Sequence, residues 1–422
     1  MRQKKFWFTI GEILALLVMA LMLPALAVAA SKYKVLHRFT GGADGANPQG
    51  GLVFDPAGSL YGTTMFGGMS PTNCGRSGCG TVFKLTPNKD GSWTEKVLYN
   101  FCLLTDCSDG VFPRNASLIF DTAGNLYGTT DGINNGKSGV VFKLTPNSDG
   151  SWTEEVLHTF TDSPDGSLPD GLIFDTAGNL YGTTELGGVG VGTVFELTPN
   201  SDGSWTESLL YSFTGSPDGA IPLAGVIFDA AGNLYGTTSN GGASGQGTVF
   251  KLTPNSNGSW TESTLYSFTG RKDGAMPLAG LAFDPAGNLY GTTVLGGSKD
   301  WGVTFMLAPN SNGWGESVLH NFEDHPAAAP QATMIFDATG NLYGTTSNNY
   351  NNSRGKGAVF ELTPESGGHW GYRVLHAFQN KPAAYPFDSL VLDSAGNLYG
   401  TAADCGRGYK CQGVAFEIEI TP

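Results

Sequence analysis

Five Asp-Gly steps recur along the chain, at Asp44, Asp109, Asp165, Asp218 and Asp273, and a proline follows each aspartate four residues later. A ring of carboxylates in this pattern could bind Ca²⁺ or a basic partner. Asp-Gly also builds a tight turn unaided, and the spacing is not that of an EF-hand loop, so turn formation is the preferred reading and no cofactor is expected. At the two remaining equivalent places Pro326 and Pro382 stand where the aspartate would be. Six cysteines fall in three close pairs, Cys74/Cys79, Cys102/Cys107 and Cys405/Cys411. Each pair would close a small loop as a disulfide. A metal site would instead need two pairs to converge, and no repeated histidine stands near them. The loops around the first and third pairs share Cys-Gly-Arg. Arg76, Arg407 and Tyr409 are therefore the most site-like asymmetry, and with the five loop aspartates they are the candidate binding residues.

Other chemistry is scarce. Six tryptophans, Trp93, Trp152, Trp205, Trp260, Trp314 and Trp370, stand at repeated positions. Exposed, they would suit sugar stacking; beside a glycine turn, they would cover the edge of a sheet, and packing is the favoured reading. His37, His158, His320 and His376 share a position that holds Tyr99, Tyr211 and Tyr266 elsewhere. That interchange suits a half-buried amphipathic ring and does not suit a metal ligand. There is no G-x-S-x-G elbow, no H-E-x-x-H and no phosphate-binding loop. No catalytic residue is assigned, and a non-enzymatic role is expected.

The elements that position these residues come from a repeat. The phrase FDxxGNLYGTT, with small variations, recurs seven times, about every 54 residues. Self-similarity at this period marks a repeat architecture. In the third unit, 171–175 reads as strand A, 180–184 as strand B, 192–198 as strand C and 205–213 as strand D, with Trp205, Leu209, Tyr211 and Phe213 on one face. Glycine and asparagine punctuate the chain too often for helical repeats. Four antiparallel strands per unit predict an all-β, seven-bladed β-propeller. Strands A, B and C each occur seven times, but strand D occurs six times within the repeats. The missing copy is Val35-Leu-His-Arg-Phe39, which matches Val156–Phe160 and Val374–Phe378. Strand 33–39 is thus expected to complete the last blade and close the ring. The aspartates of the phrase, Asp55, Asp121, Asp175, Asp229, Asp284, Asp337 and Asp393, read as turn formers. Propeller strand order puts the B–C and D–A loops on one face. The B–C loops vary in length and chemistry, so any ligand is expected on that face.

GNLYGTT followed by glycine-rich sequence and GTVFKLTP resembles the Gloeo/Verruco (GloVer) tandem repeat of bacterial surface and secreted proteins, over essentially all of residues 31–422. The resemblance brings no catalytic residues. The FDxxGNLY hairpin is also similar, more distantly, to NHL-type and SMP-30-like propeller hairpins. The latter resemblance implies an alternative activity, that of a metal-dependent hydrolase or lactonase.

The chain has 422 residues, too many for one ordinary core unless repeats pack on their neighbours. Its net charge of −14 disfavours nucleic acid and anionic membranes as partners. Residues 1–29 read as a signal peptide: Arg2, Lys4 and Lys5, then an apolar run, then Ala27-Val28-Ala29. With no second apolar segment, the remaining residues, 30–422, are expected to be one propeller domain, exported to the periplasm or the extracellular medium, secreted as a monomer with no transmembrane segment. The expected function is a binding scaffold for a protein or glycan, the second alternative being a structural envelope protein.

Overall fold

The computed structural model describes residues 31–420 except 70–73, 105, 115–116, 133–137, 324, 326, 348–354, 380–382 and 405–411. The predicted signal peptide lies outside the described residues. Within them the chain forms strands and one short 3-10 turn, Gly75–Ser77, and no α-helix. The strands gather into seven four-stranded antiparallel sheets, the blades of a propeller. In blade three, strand A is Ser167–Phe174, B is Leu180–Leu186, C is Thr193–Pro199 and D is Trp205–Ser212. The N-terminal strand Ser31–Arg38 pairs with Val414–Ile420 as the outer strand of blade seven. The ring is closed by its own two ends, as the sequence predicts.

The repeated phrase works as a joint. Asp229 Oδ1 accepts hydrogen bonds from Ala231 N and Asn233 N, both at 2.9 Å, and so shapes the A–B turn. Its Oδ2 accepts from Asn233 Nδ2 at 2.7 Å and from the Tyr235 hydroxyl at 3.0 Å. Tyr235, held from behind, meets the edges of Phe283 at 5.1 Å and Trp314 at 6.4 Å, both in the next blade. The strand-D tryptophans thus pack on the preceding blade, as do Trp93 on Tyr399 and Trp370 on Tyr290. The glycine of LYGTT is required because a phenylalanine of strand C lies across it: a Cβ on Gly236 would stand 2.6 Å from Phe250 Cζ. That phenylalanine is met by the one ending strand D of the previous blade. The series runs through Phe101–Phe142, Phe160–Phe195 and Phe213–Phe250 to Phe378–Phe416, and Phe39–Phe83 at 4.9 Å completes it across the closure. Each such ring is buried, at most 3% exposed, and burying one contributes about 2–3 kcal/mol relative to exposure.

One expectation fails locally. Trp205, Leu209, Tyr211 and Phe213 do not share a single face. The register of strand D shifts between the partners of Val194 and Phe195, so that Tyr211 and Leu209 oppose consecutive residues. This β-bulge inserts Leu210, which joins the core between blades, while Leu209 is 42% exposed.

Candidate functional site in the central channel

Strand A of every blade faces the central channel. Here the repeat breaks. The step from the loop proline to the framework aspartate is seven residues in five blades, eight in blade two and six in blade three. The residue after that proline is Gln49, Arg114, Asp170, Leu223, Leu278, Gln331 or Phe387 in ring order. The missing residue in blade three draws its D–A segment straight into strand A, which runs for eight residues there against two in blade four. Gly171 then lies against Gly225, where a Cβ would come 2.5 Å from the neighbouring Cα.

These residues enclose a cavity of about 550 Å³, a size suited to a small ligand. Its wall is divided. Blades two, three and seven present Arg114, Ser117, Asp170, Glu185 and Asp388, whereas blades four and five present Leu223, Ala224, Leu278 and Ala279. Phe387 supplies an aromatic ring beside the polar side, and that ring stacks on Tyr385 at 6.3 Å.

Arg114 organises the charged arc. Its Nη2 donates to Glu185 Oε1 at 2.6 Å. Its Nε lies 2.8 Å from Asp131 Oδ2, off the line of the N–H bond, so this is a charge contact more than a full hydrogen bond. Asp131 and Glu185 are the residues that follow YGTT in blades two and three. Burial pushes the Asp131 carboxyl up to about 7, although Arg114 pulls it down. Glu185 is raised for the same reason and with the same opposition. Asp388 Oδ2 accepts from Gly51 N at 2.5 Å and from Ser117 Oγ at 3.1 Å, and its Oδ1 accepts from Ser389 N at 2.6 Å. It keeps some surface in the cavity but is enclosed by the ring, and burial raises its pKa against those donors. Asp170 is 5% exposed, and its Oδ1 accepts from Gly171 N at 2.9 Å. Burial, then the charges of Glu185, Asp131 and Asp388, hold its pKa well above the carboxylate range.

None of the five loop aspartates lines this cavity. Each is tied to its own loop. Asp44, Asp165, Asp218 and Asp273 accept from the backbone and hydroxyl of Thr40, Thr161, Thr214 and Thr269. Asp109 accepts from Leu103 N and the Tyr99 hydroxyl. Each also raises the pKa of a half-buried glutamate on strand D of the next blade: Glu95, Glu154, Glu207, Glu262 and Glu316 all stand at about 7, chiefly through burial. In blades six and seven, where the loop has proline, the glutamate is replaced too. Tyr372 stacks on His320 at 3.8 Å and Tyr33 on His376 at 4.0 Å.

Cys74–Cys79 and Cys102–Cys107 are disulfides on the variable-loop face. The sulfurs of Cys74, Cys79 and Cys102 lie within 4.8 Å of one another, and among the described residues they form the sole metal-like trio at that range. Arg76 sits in the 3-10 turn between Cys74 and Cys79. Cys405, Arg407, Tyr409 and Cys411 lie outside the described residues. Sequence reasoning missed Arg114, Asp131, Asp170, Glu185 and Asp388. The signal available was the altered proline-to-aspartate step in blades two and three.

The family profile of the Gloeobacter/Verrucomicrobia repeat matches residues 23–190, 70–282 and 229–422. The chain belongs to that family. No curated protein matches it. Among solved structures, this repeat protein is similar to the extracellular domain of a one-component system from B. thetaiotaomicron, at 11% identity and a TM-score of 0.54, over 91% of this chain and 40% of that one. It is likewise similar to a copper-bound fungal alcohol oxidase of the AA5 family, at 12% identity and a TM-score of 0.55, over 93% of this chain and 77% of that one. At such identities the likeness is one of fold, and the repeat protein spans about 40% of the length of the first. No helix among the described residues is long and apolar enough to cross a membrane, and paired disulfides fit an oxidising compartment.

Proposed function

We propose that this GloVer-repeat protein is an exported, non-enzymatic binding propeller that seats the end of a glycan in its central cavity. One observation carries the reading: an invariant frame surrounds a cavity whose wall is divided between hydrogen-bonding and apolar residues. A sugar has the same division. Its hydroxyl edge would meet Asp388, Ser117, Gln49 and Arg114, while its C–H face would meet Leu223, Leu278 and the Phe387 ring. Arg114 supplies fixed positive charge within the acidic arc, so the reading needs no metal there. Export agrees with the N-terminal leader pattern and with two disulfides in loops of the variable face.

A glycan array probed with the purified protein, followed by calorimetry on the hits, tests this. Phe387→Ala is expected to weaken binding about tenfold, the loss of an aromatic contact, with little change in melting temperature. Absence of any hit would overturn the reading, and so would hits that bind Phe387→Ala and the native protein equally. Shortening of a bound glycan over time would replace binding by hydrolysis.

A further inference from the structure

We propose that the ligand of this cavity carries a primary ammonium group, received by Asp170 as its charge partner; the proposal rests on the cavity being the ligand seat. Four acidic side chains stand in or beside the cavity, and three are provided for. Asp131 and Glu185 share the Arg114 guanidinium. Asp388 accepts from two backbone N–H groups and the Ser117 hydroxyl. Asp170 has the hydrogen bond from Gly171 N to its Oδ1, and among the described residues its Oδ2 has no partner. It is 5% exposed and lines the cavity.

A carboxyl so enclosed must either hold a proton or meet a cation. The surrounding groups decide which when the cavity is unfilled. Glu185, Asp131 and Asp388 oppose its ionisation and Arg114 favours it, and with burial added the protonated form is held well above the usual range. A compact ammonium reverses that balance. It brings a full charge and three donors to the unpartnered oxygen. The exchange conserves atoms simply: the Asp170 carboxyl proton leaves to solvent, the carboxylate pairs with the ammonium, and no covalent bond forms. The apolar wall and the remaining acceptors then suit a hydroxylated body, which makes an amino sugar the ligand class. A metal ion fits less well, because among the described residues no three carboxylate oxygens from different side chains gather within 4.8 Å.

Three β-1,4-linked oligosaccharides that differ at one position test this: those of glucosamine, N-acetylglucosamine and glucose. The native protein is expected to bind the glucosamine oligomer about tenfold more tightly than the others near pH 6.5, as a charge-assisted hydrogen bond allows. Calorimetry in two buffers of different ionisation heat is expected to show about one proton released per ligand. Asp170→Asn keeps the shape of the side chain, and its melting temperature checks the fold. In it the three oligomers should bind within about twofold of each other. Equal binding of all three by the native protein would overturn the amine assignment and leave the glycan seat standing. So would a glucosamine preference that survives in Asp170→Asn, since it would then come from the protein's overall negative charge. Failure of every oligomer to bind would sink the seat and the assignment together.

Discussion

Arg114 is the residue on which the cavity depends. It stands between two carboxylates, and Asp131 is almost wholly enclosed, with a side chain 5% exposed against 29% for that of Arg114. Replacing it with Met would keep much of its length and remove the charge. Asp131 would then be a buried acid without a cation, the costly half of a broken pair. Arg114→Met is expected to lose about 3–5 kcal/mol of stability at a pH well above 7, where Asp131 would be an ionised acid without its cation. The sign of the pH dependence follows from Asp131, whose pKa already stands at about 7 with Arg114 present. Without Arg114 it rises further, so the folded state holds its proton to higher pH than the unfolded chain does. The loss traced to Asp131 should therefore stay small up to about pH 7 and grow above it. Chemical denaturation at three pH values measures it, and a loss that does not vary with pH would contradict the assignment. By contrast, Asp229 is read correctly as a turn former from sequence, because its partners lie within six residues; Asp55 makes the same turn bonds and adds an ion pair with Lys84.

At the scale of the element, what was legible is what repeats. LYGTT, the strand-D tryptophan and the paired phenylalanines recur because each blade must offer its neighbour the same surface, so the propeller and its closure could be read directly. The cavity could not, since it consists of single departures at the residue after the loop proline and the residue after YGTT. Those look like ordinary variation until the ring sets them side by side. The bulge in strand D was hidden for a related reason: alternation cannot show where the count slips by one. A second element-level feature is the exchange of Asp–Glu pairs for Tyr–His stacks between blades. The five glutamates stand at about 7 in the folded state against 4.5 when free, chiefly through burial, with the loop aspartate adding to the rise. Raised acids bind protons in the folded state, so they cost stability as pH rises from about 4.5 to about 7. His320 and His376 are lowered by burial to about 4 and act in the opposite sense, losing stability as pH falls below 6.5. Replacing all five glutamates with glutamine isolates the first effect. The melting temperature of this variant relative to the native protein should climb between pH 4.5 and 7.5 and then level. A difference that stays flat across that range would mean that partial exposure screens the pairs completely.

For the molecule as a whole, stability is a chain of near-identical interfaces with one distinction: six blades are continuous segments, whereas blade seven is assembled from both ends. The N-terminal strand is held by its ladder to Val414–Ile420, by the Lys32–Glu419 and Lys34–Glu417 ion pairs, and by Leu36 and Phe39 in the core between blades seven and one. The Lys32–Glu419 pair is exposed and adds little, whereas Glu417 is buried beneath Lys34; the apolar anchors supply most of the buried surface of the closure. Phe39 and Phe213 make the same contact, at 4.9 Å to Phe83 and 5.0 Å to Phe250, and both are fully buried. Truncating either to alanine removes the same atoms, about 3–5 kcal/mol where the structure cannot relax. The consequences should differ. Phe213 is bounded by chain on both sides, so its loss lowers the stability of the whole ring. Phe39 ends a strand that, among the described residues, is joined by chain to blade one alone, so its loss lets that strand detach before the rest unfolds. Native-state hydrogen exchange should show Phe39→Ala releasing protection in 31–38 and 414–420 first, with blades three to five unchanged. Phe213→Ala should lower protection everywhere. Uniform loss in Phe39→Ala would mean that closure is fully cooperative with the ring. The seventh blade would then be as integral as the six continuous ones, despite being built from two ends.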